Sequence, residues 1–423
     1  MRSNYKTLGP YIRELKNRNR NGAVSDLRGV SIGKGFMPSV ANVNGTDLSK
    51  YKRVEQRQFA FNPMHVGRDE VLPIALLAQE GPVVVSPAYV VFEVLDHEQL
   101  LPEYLMMWCR RPEFDRNAWF TTDNSVRGGF SWRNFCDMEL PIPSVEKQRE
   151  IVKEYQTVVD RIRLNERLNE KLEEVAQAIY KQWFVDFEFP MTAEYAEAIG
   201  KPELAGQPYK SSGGEMEYNE FLEQEIPKRW TGAELGELVT TQYGYTASAV
   251  ETPVGPKFLR ITDISNDLIG WDTVPYCPIE EKTLEKYELH EGDVVIARTG
   301  ATVGYAKRIN KRHPQCVFAS YLIRMRARDE RYDQFIGLTV VSPRYRDYIK
   351  NVAVGSGQEQ GNAPLLRGYR MIVPPPELMP QFSVLVRCLI DYEELAEVEN
   401  ATLRHLSKLH LAMLVKNEAG GRR

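Results

Sequence analysis

"PIPSVEKQREIVKEYQTVVDRI", residues 141–162, passes from two prolines straight into a charged run with apolar residues three and four apart. Proline tends to end the element before it, and that apolar spacing is the mark of an amphipathic helix, so the stretch reads as a stop followed by a launch. The same transition returns as "PPPELMPQFSVLVRCLIDYEEL", residues 374–395, where Pro376 and Gln381 stand 233 positions after Pro143 and Gln148. Two such launches, so far apart, predict a duplicated unit.

Other landmarks repeat in the same order. Leu8-Gly9 pairs with Leu235-Gly236, and "QFAFNPM" from Gln58 lies opposite "GDVVIAR" from Gly292. Ser86 of "VVSPAYVVFEV" matches Ser320 of "FASYLIRMRA", and "PEYLMMWCRRPEF" faces "DQFIGLTVVSPRYRDYI". Each copy begins with about 145 mixed residues, in which short β-rich runs are punctuated by Gly, Pro, Asn and Asp beside short helical stretches. Each copy ends in one long helical run. The expected fold is therefore α+β: two mixed α/β domains in pseudo-two-fold tandem repeat, separated by two long antiparallel helices forming a coiled-coil spacer. The expected boundaries are 1–143 and 230–376 for the mixed domains and 144–188 and 377–417 for the helices. Residues 189–229, rich in Gly, Pro, Ser and Glu, read as a mostly irregular linker, and 418–423 as a flexible tail.

The first helical run carries a seven-residue seam: Ile151, Tyr155, Val158, Ile162, Asn165, Asn169, Leu172, Ala176, Ile179 and Trp183. Polar Asn165 and Asn169 in mid-seam would penalise slipped pairings. A rougher seam is expected in the second, through Leu385, Leu389, Tyr392, Leu395, Val398, Leu403, Leu406, Leu409 and Met413. A helix over 145–185 would span roughly 60 Å, too long for one compact domain and in need of a partner.

The net charge is −4, but it is unevenly spread. Residues 1–143 carry 18 Lys/Arg against 16 Asp/Glu, and 230–376 carry 18 against 17; the acidity sits in the helical segments and the linker. Near-neutral mixed domains neither require nor forbid a basic face. Five scattered cysteines, none in a CxxC, read as free thiols of a reducing compartment. No apolar run approaches membrane-spanning length, so a cytoplasmic protein is expected.

Catalytic signatures are lacking. "GVSIGKGF" (29–36) has the wrong spacing for a phosphate-binding loop, "VGSGQEQG" (354–361) reads as a flexible glycine cluster, and the six histidines show no metal-ligand spacing. The chain by itself is not expected to be an enzyme, nor to hold a metal. What it offers is polar side chains near turns and strand ends, the kinds that contact phosphates and base edges. In the first mixed domain the candidates are Lys16, Arg18, Arg20, Lys34, Asn62, His65, Arg68, Asn124, Arg127, Trp132 and Arg133. In the second they are Tyr243, Tyr245, Lys257, Arg260, Arg298, Thr299, Thr302, Tyr305, Lys307, Gln358 and Asn362.

Taken together, "LPIPSVEKQREI", "LNERLNEKLEEVAQAIYKQWFVDFEFP", "PYKSSGGEMEYNEFLEQEIPKRW", "FLRITDIS", "GDVVIARTGATVG", "FASYLIRMRA" and "IVPPPELMPQF" resemble the specificity subunits of type I restriction–modification systems. The resemblance runs the length of the chain. It implies two target-recognition domains, each reading half of a gapped duplex DNA site, and spacer helices that dock two methyltransferase subunits and, in some complexes, restriction or translocase subunits. It also implies no cofactor on this chain, with S-adenosylmethionine, and ATP with Mg where a motor subunit is present, used by the partners. Half-sites read from one face of DNA are expected near one helical turn apart, about 34–36 Å. The competing reading is a coiled-coil interaction scaffold without DNA binding of its own.

Overall fold

A computed structural model describes residues 5–39, 47–64, 66–122, 129–265, 269–355 and 361–414. The chain divides into two compact units, Met1–Arg163 with Thr402–Arg423, and Leu164–Ala401. Both divisions fall inside long helices, Val145–Phe184 and Met379–Met413.

In the first unit, four strands form an antiparallel sheet in the order Ile12–Leu15, Val90–Val94, Phe59–Phe61, Ile74–Leu76. Apart from Arg13, Glu14 and Glu93, the strands are apolar, which suits a pleated surface buried against helices. Helices Pro102–Cys109, Pro112–Phe120 and Trp132–Cys136 cover it. Phe59 and Phe92 stack at 4.6 Å between centroids, and Phe61, Phe130 and Phe135 close around them. Tyr5–Thr7 pairs with Glu139–Pro141, so the first and last strands of this head meet. The exit into the first long helix is latched by Gln148, fully buried. Its side-chain oxygen accepts from the Leu101 amide at 2.8 Å, and its nitrogen donates to the carbonyls of Gln99 and Pro143. A buried amide with both ends satisfied fixes an entry angle that apolar contact alone would leave loose.

The second unit repeats this plan. Its sheet runs Val239–Tyr243, Leu322–Ala327, Val294–Ala297, Ala306–Arg308, again antiparallel, covered by Asp333–Val341, Pro343–Gly355 and Ala363–Arg367. Thr231–Glu234 pairs with Arg370–Val373 as the closing strands. One tie recurs at the proline stops: Tyr104 donates its hydroxyl to the Pro141 carbonyl, and Tyr332 donates to that of Pro374. The copies also differ. Gln381 is exposed, so the second stop has no counterpart of the Gln148 latch. The pair Lys52–Val54 with Val83–Val85 is antiparallel, whereas Lys257–Leu259 with Cys316–Phe318 is parallel.

The first long helix buries the expected stripe: each of its ten seam residues is buried or half-buried. Within the second unit, Asn165 donates to Asn400 at 2.9 Å, while Trp183 lies 5.5 Å from Phe382. Contacts that advance along one helix retreat along the other, so the helices are antiparallel. Asn165 thus meets a polar seam partner; buried Asn169 has no hydrogen-bond partner for either side-chain atom.

The second helix corrects the sequence reading. Leu385, Tyr392, Leu395, Val398, Leu406, Leu409 and Met413 are exposed, and only Leu389 and Leu403 of the expected seam are half-buried. The stripe that faces inward is Phe382, Val386, Leu389, Glu393, Ala396, Asn400, Leu403, Ser407, His410 and Leu414, at the same four-three spacing. Polar side chains occupy four of those positions, so a search for apolar residues selects the wrong face. Glu393 sits there because Arg308 of the head reaches both it, at 3.8 Å, and Glu173 of the first helix, at 2.7 Å. Burial pushes the Glu393 carboxyl up to about 7, with Arg308 opposing the rise.

The linker is also more ordered than expected. Residues 189–229 contain a helix, Ala193–Ala198, and a hairpin, Met216–Asn219 with Gln224–Pro227. Phe189 is stacked by Tyr209 at 4.6 Å and Trp230 at 4.9 Å, all in the core of the second unit. Widely spaced aromatics give no periodic signal, yet they supply burial that Gly- and Pro-rich composition alone does not.

Candidate nucleic-acid interface

In the second head, Tyr243 ends one strand and Arg298 follows another directly. Gly244 makes this possible: a Cβ there would lie 2.1 Å from the Ala319 carbonyl oxygen, so only glycine lets the strand end approach so closely. The Arg298 guanidinium sits 5.2 Å from the Tyr243 ring centroid and donates through Nε to the Ser320 carbonyl at 3.0 Å. The Tyr243 hydroxyl accepts from the amide of Ala363, and the Arg298 carbonyl accepts from that of Gly361. These bonds gather the strand ends, the loop through Thr299 and Thr302, and the start of Ala363–Arg367. Asn362 caps that helix, accepting from the Leu365 amide, and is itself exposed. Thr302 bonds the Thr299 carbonyl, and Tyr305 carries the Arg346 guanidinium 4.7 Å above its ring. Tyr243, Arg298, Thr299, Thr302, Tyr305 and Asn362 thus form one patch, joined by Tyr321, which is 58% exposed.

The other candidates of this head lie apart from it. Tyr245 packs on Tyr287 at 5.2 Å. Lys257 donates to the Val274 carbonyl and sits over Tyr276. Arg260 holds Asp263 through both Nε and Nη2, which raises its pKa. All three stabilise loops. Lys307 is half-buried on the strand Ala306–Arg308. Gln358 lies outside the described residues.

The first head places its corresponding loop in the same setting. The residues after Phe59–Phe61 are held by Phe130, whose amide donates to the Pro63 carbonyl at 2.9 Å, as Gly361 holds Arg298. Asn62 caps this turn by accepting from the Met64 amide. Arg133 is exposed, 3.9 Å from Asp137, while half-buried Trp132 lies 5.5 Å from Phe92 in the core. Lys16, Arg18 and Arg20 are exposed in a segment braced by buried Asn19, which bonds both backbone groups of Val24. Lys34 is a correction. Its amine is buried, donating to Asp115 at 2.7 Å and to the Cys109 carbonyl, and burial lowers its pKa; that charge holds the hairpin Arg28–Val30/Phe36–Pro38 to the helices and cannot meet a phosphate. His65, Asn124 and Arg127 lie outside the described residues, as does the side chain of Arg68.

Sequence reasoning missed Ser320, Tyr321, Arg346 and Gly361, which join the patch only through tertiary contacts. It also missed Trp119 and Phe120, 45% and 84% exposed at the end of Pro112–Phe120. Among the described residues, no group of three His, Cys, Asp or Glu side chains could hold a metal ion, and no helix is long and apolar enough to cross a membrane.

No family model matches the chain. It is 25% identical over 383 residues to the Type I restriction enzyme HindI specificity subunit of Haemophilus influenzae, covering 79% of this chain and 81% of that one. It is 32% identical over 174 residues to the Type I restriction enzyme MjaIX specificity subunit of Methanocaldococcus jannaschii, covering 40% and 35%. The crystal structure of the type I restriction–modification S subunit from M. genitalium superposes with a TM-score of 0.54 at 12% identity, over 97% of this chain and 95% of that one. Duplicated mixed heads, each feeding one of two antiparallel long helices, therefore make up an S-subunit fold. With sequence similarity over about four fifths of both chains and a shared fold, the chain is similar to the specificity subunits of type I restriction–modification systems.

Proposed function

We propose that each head reads one half of a bipartite, gapped duplex DNA site and that the long helices carry methyltransferase subunits. One observation supports this above the rest. Both heads hold the loop after the same sheet strand with an equivalent amide-to-carbonyl bond, Phe130 to Pro63 and Gly361 to Arg298, so the duplication has kept one presenting surface twice. The docking part rests on apolar residues that the helices leave in solvent. These are Leu164, Leu168 and Val175 on the first helix and Val384, Leu385, Tyr392, Leu395 and Val398 on the second. Exposed apolar stripes of that kind mark contact surfaces for other proteins. In this reading the chain binds no cofactor and works in the cytoplasm; S-adenosylmethionine, and ATP with Mg where a restriction subunit is present, belong to its partners.

Near-neutral heads give little phosphate anchoring. The purified chain alone is therefore expected to bind duplex DNA weakly at 150 mM salt, and the assembly with methyltransferase subunits to bind its site tightly. Fluorescence anisotropy on both samples makes the comparison. Nanomolar, sequence-specific binding by the isolated chain would remove the dependence on partners. An assembly with no DNA affinity would favour the scaffold reading.

A further inference from the structure

We infer that Arg298 reads a guanine in the half-site of the second head, donating through its two terminal nitrogens to O6 and N7 in the major groove. This rests on the proposal that the heads read DNA, and goes further by naming a base and a residue.

Several guanidinium groups of the second head are already committed, although Arg346, over the Tyr305 ring, has a buried Nε without a partner. Arg260 is held by Asp263, Arg326 by Asp293, and Arg324 by the Glu288 carbonyl and Gln242. Arg298 differs. Its Nε bonds the Ser320 carbonyl and its plane lies near the Tyr243 ring, yet no hydrogen bond or ion pair among the described residues engages Nη1 or Nη2. Its backbone is fixed as well, the amide donating to Tyr321 and the carbonyl accepting from Gly361. Tyr243 is pinned in turn by the Ala363 amide. The group is half-buried, oriented by three elements, and presents two parallel donors.

A free fork of that geometry matches the paired acceptors of guanine, whereas adenine offers one acceptor and one donor on the same edge. Lysine could supply charge but not the parallel pair. A phosphate also accepts such a fork, but a phosphate contact carries no sequence information, so loss of discrimination at a single base pair separates the two. In the first head the corresponding bond is accepted by the Pro63 carbonyl, and proline has no donor, so the effect is confined to one half-site.

The test uses the assembly with methyltransferase subunits and a randomised duplex library, comparing the wild type with Arg298→Ala and Arg298→Lys. Discrimination for G·C is expected to fall roughly ten- to hundredfold at one position of one half-site in both variants, the other half-site staying as it was. Arg298→Lys keeps the charge, so its affinity for unrelated DNA should match the wild type. Arg298→Ala that weakened all sequences equally, with Arg298→Lys restoring them, would make Arg298 a phosphate contact and overturn the inference. So would an unchanged preference in both variants. A wild-type assembly without sequence preference would instead overturn the proposed function. Thermal melting of each variant separates these results from loss of folding, and Arg298→Lys carries the test if Arg298→Ala does not fold.

Discussion

Under the proposed function, replacing residues 1–143 with the corresponding block of a type I specificity subunit is expected to rewrite one half of the methylated DNA site and leave the other half unchanged. The block closes on itself through Tyr5–Thr7 and Glu139–Pro141, and it meets the first long helix at a junction after Pro143. That junction is tolerant. Gln148 holds the block through the backbone amide of Leu101 and the carbonyls of Gln99 and Pro143, groups that any sequence supplies. The Arg298 patch lies wholly in the other unit and is untouched. Methylation mapping of the chimaera reads the outcome. Simultaneous change of both halves would mean that the heads do not read independently.

Phe184→Ala is expected to be the most damaging single substitution at the base of the second head. Phe184 ends the first long helix with 3% exposure. Its ring lies 4.6 Å from Phe335 of the head, 4.7 Å from Phe382 of the second helix and 6.0 Å from Trp230 at the end of the linker. One side chain thus joins four segments, and close-packed aromatics cannot collapse into the space that its removal leaves. A loss of about 3–5 kcal/mol is typical of such a truncation. For a unit of this size that lowers the melting temperature on the order of 10 °C. Calorimetry of the variant beside Phe184→Leu, which keeps most of the volume, gives the comparison. A cost below about 1 kcal/mol for the alanine would show that these rings do not hold the head to the helices.

The duplication was legible because it rests on local chemistry: proline stops, β-rich runs and helix spacing, each encoded within a few residues. The first helix seam was legible for the same reason. The second failed where long-range partners decide the inward face. Glu393 is inside because Arg308 and Glu173 meet it there, and Asn400 because Asn165 does, and neither partner is near in sequence. The linker failed similarly, since Phe189 finds Tyr209 and Trp230 only in the folded unit. At the candidate interface, residue type named Arg298, Tyr243 and Asn362. It could not separate them from Lys34, Lys257 and Arg260, whose donors are turned inward and used. The difference is orientation and pairing, which composition does not carry.

Whether this chain reads a bipartite site is decided by mapping adenine methylation at single-base resolution in a host expressing the methyltransferase subunits with and without it. One new motif is expected, present only with the chain. That motif should have two specific parts separated by a fixed run of unspecified bases. No chain-dependent methylation, or a single uninterrupted motif, would contradict it.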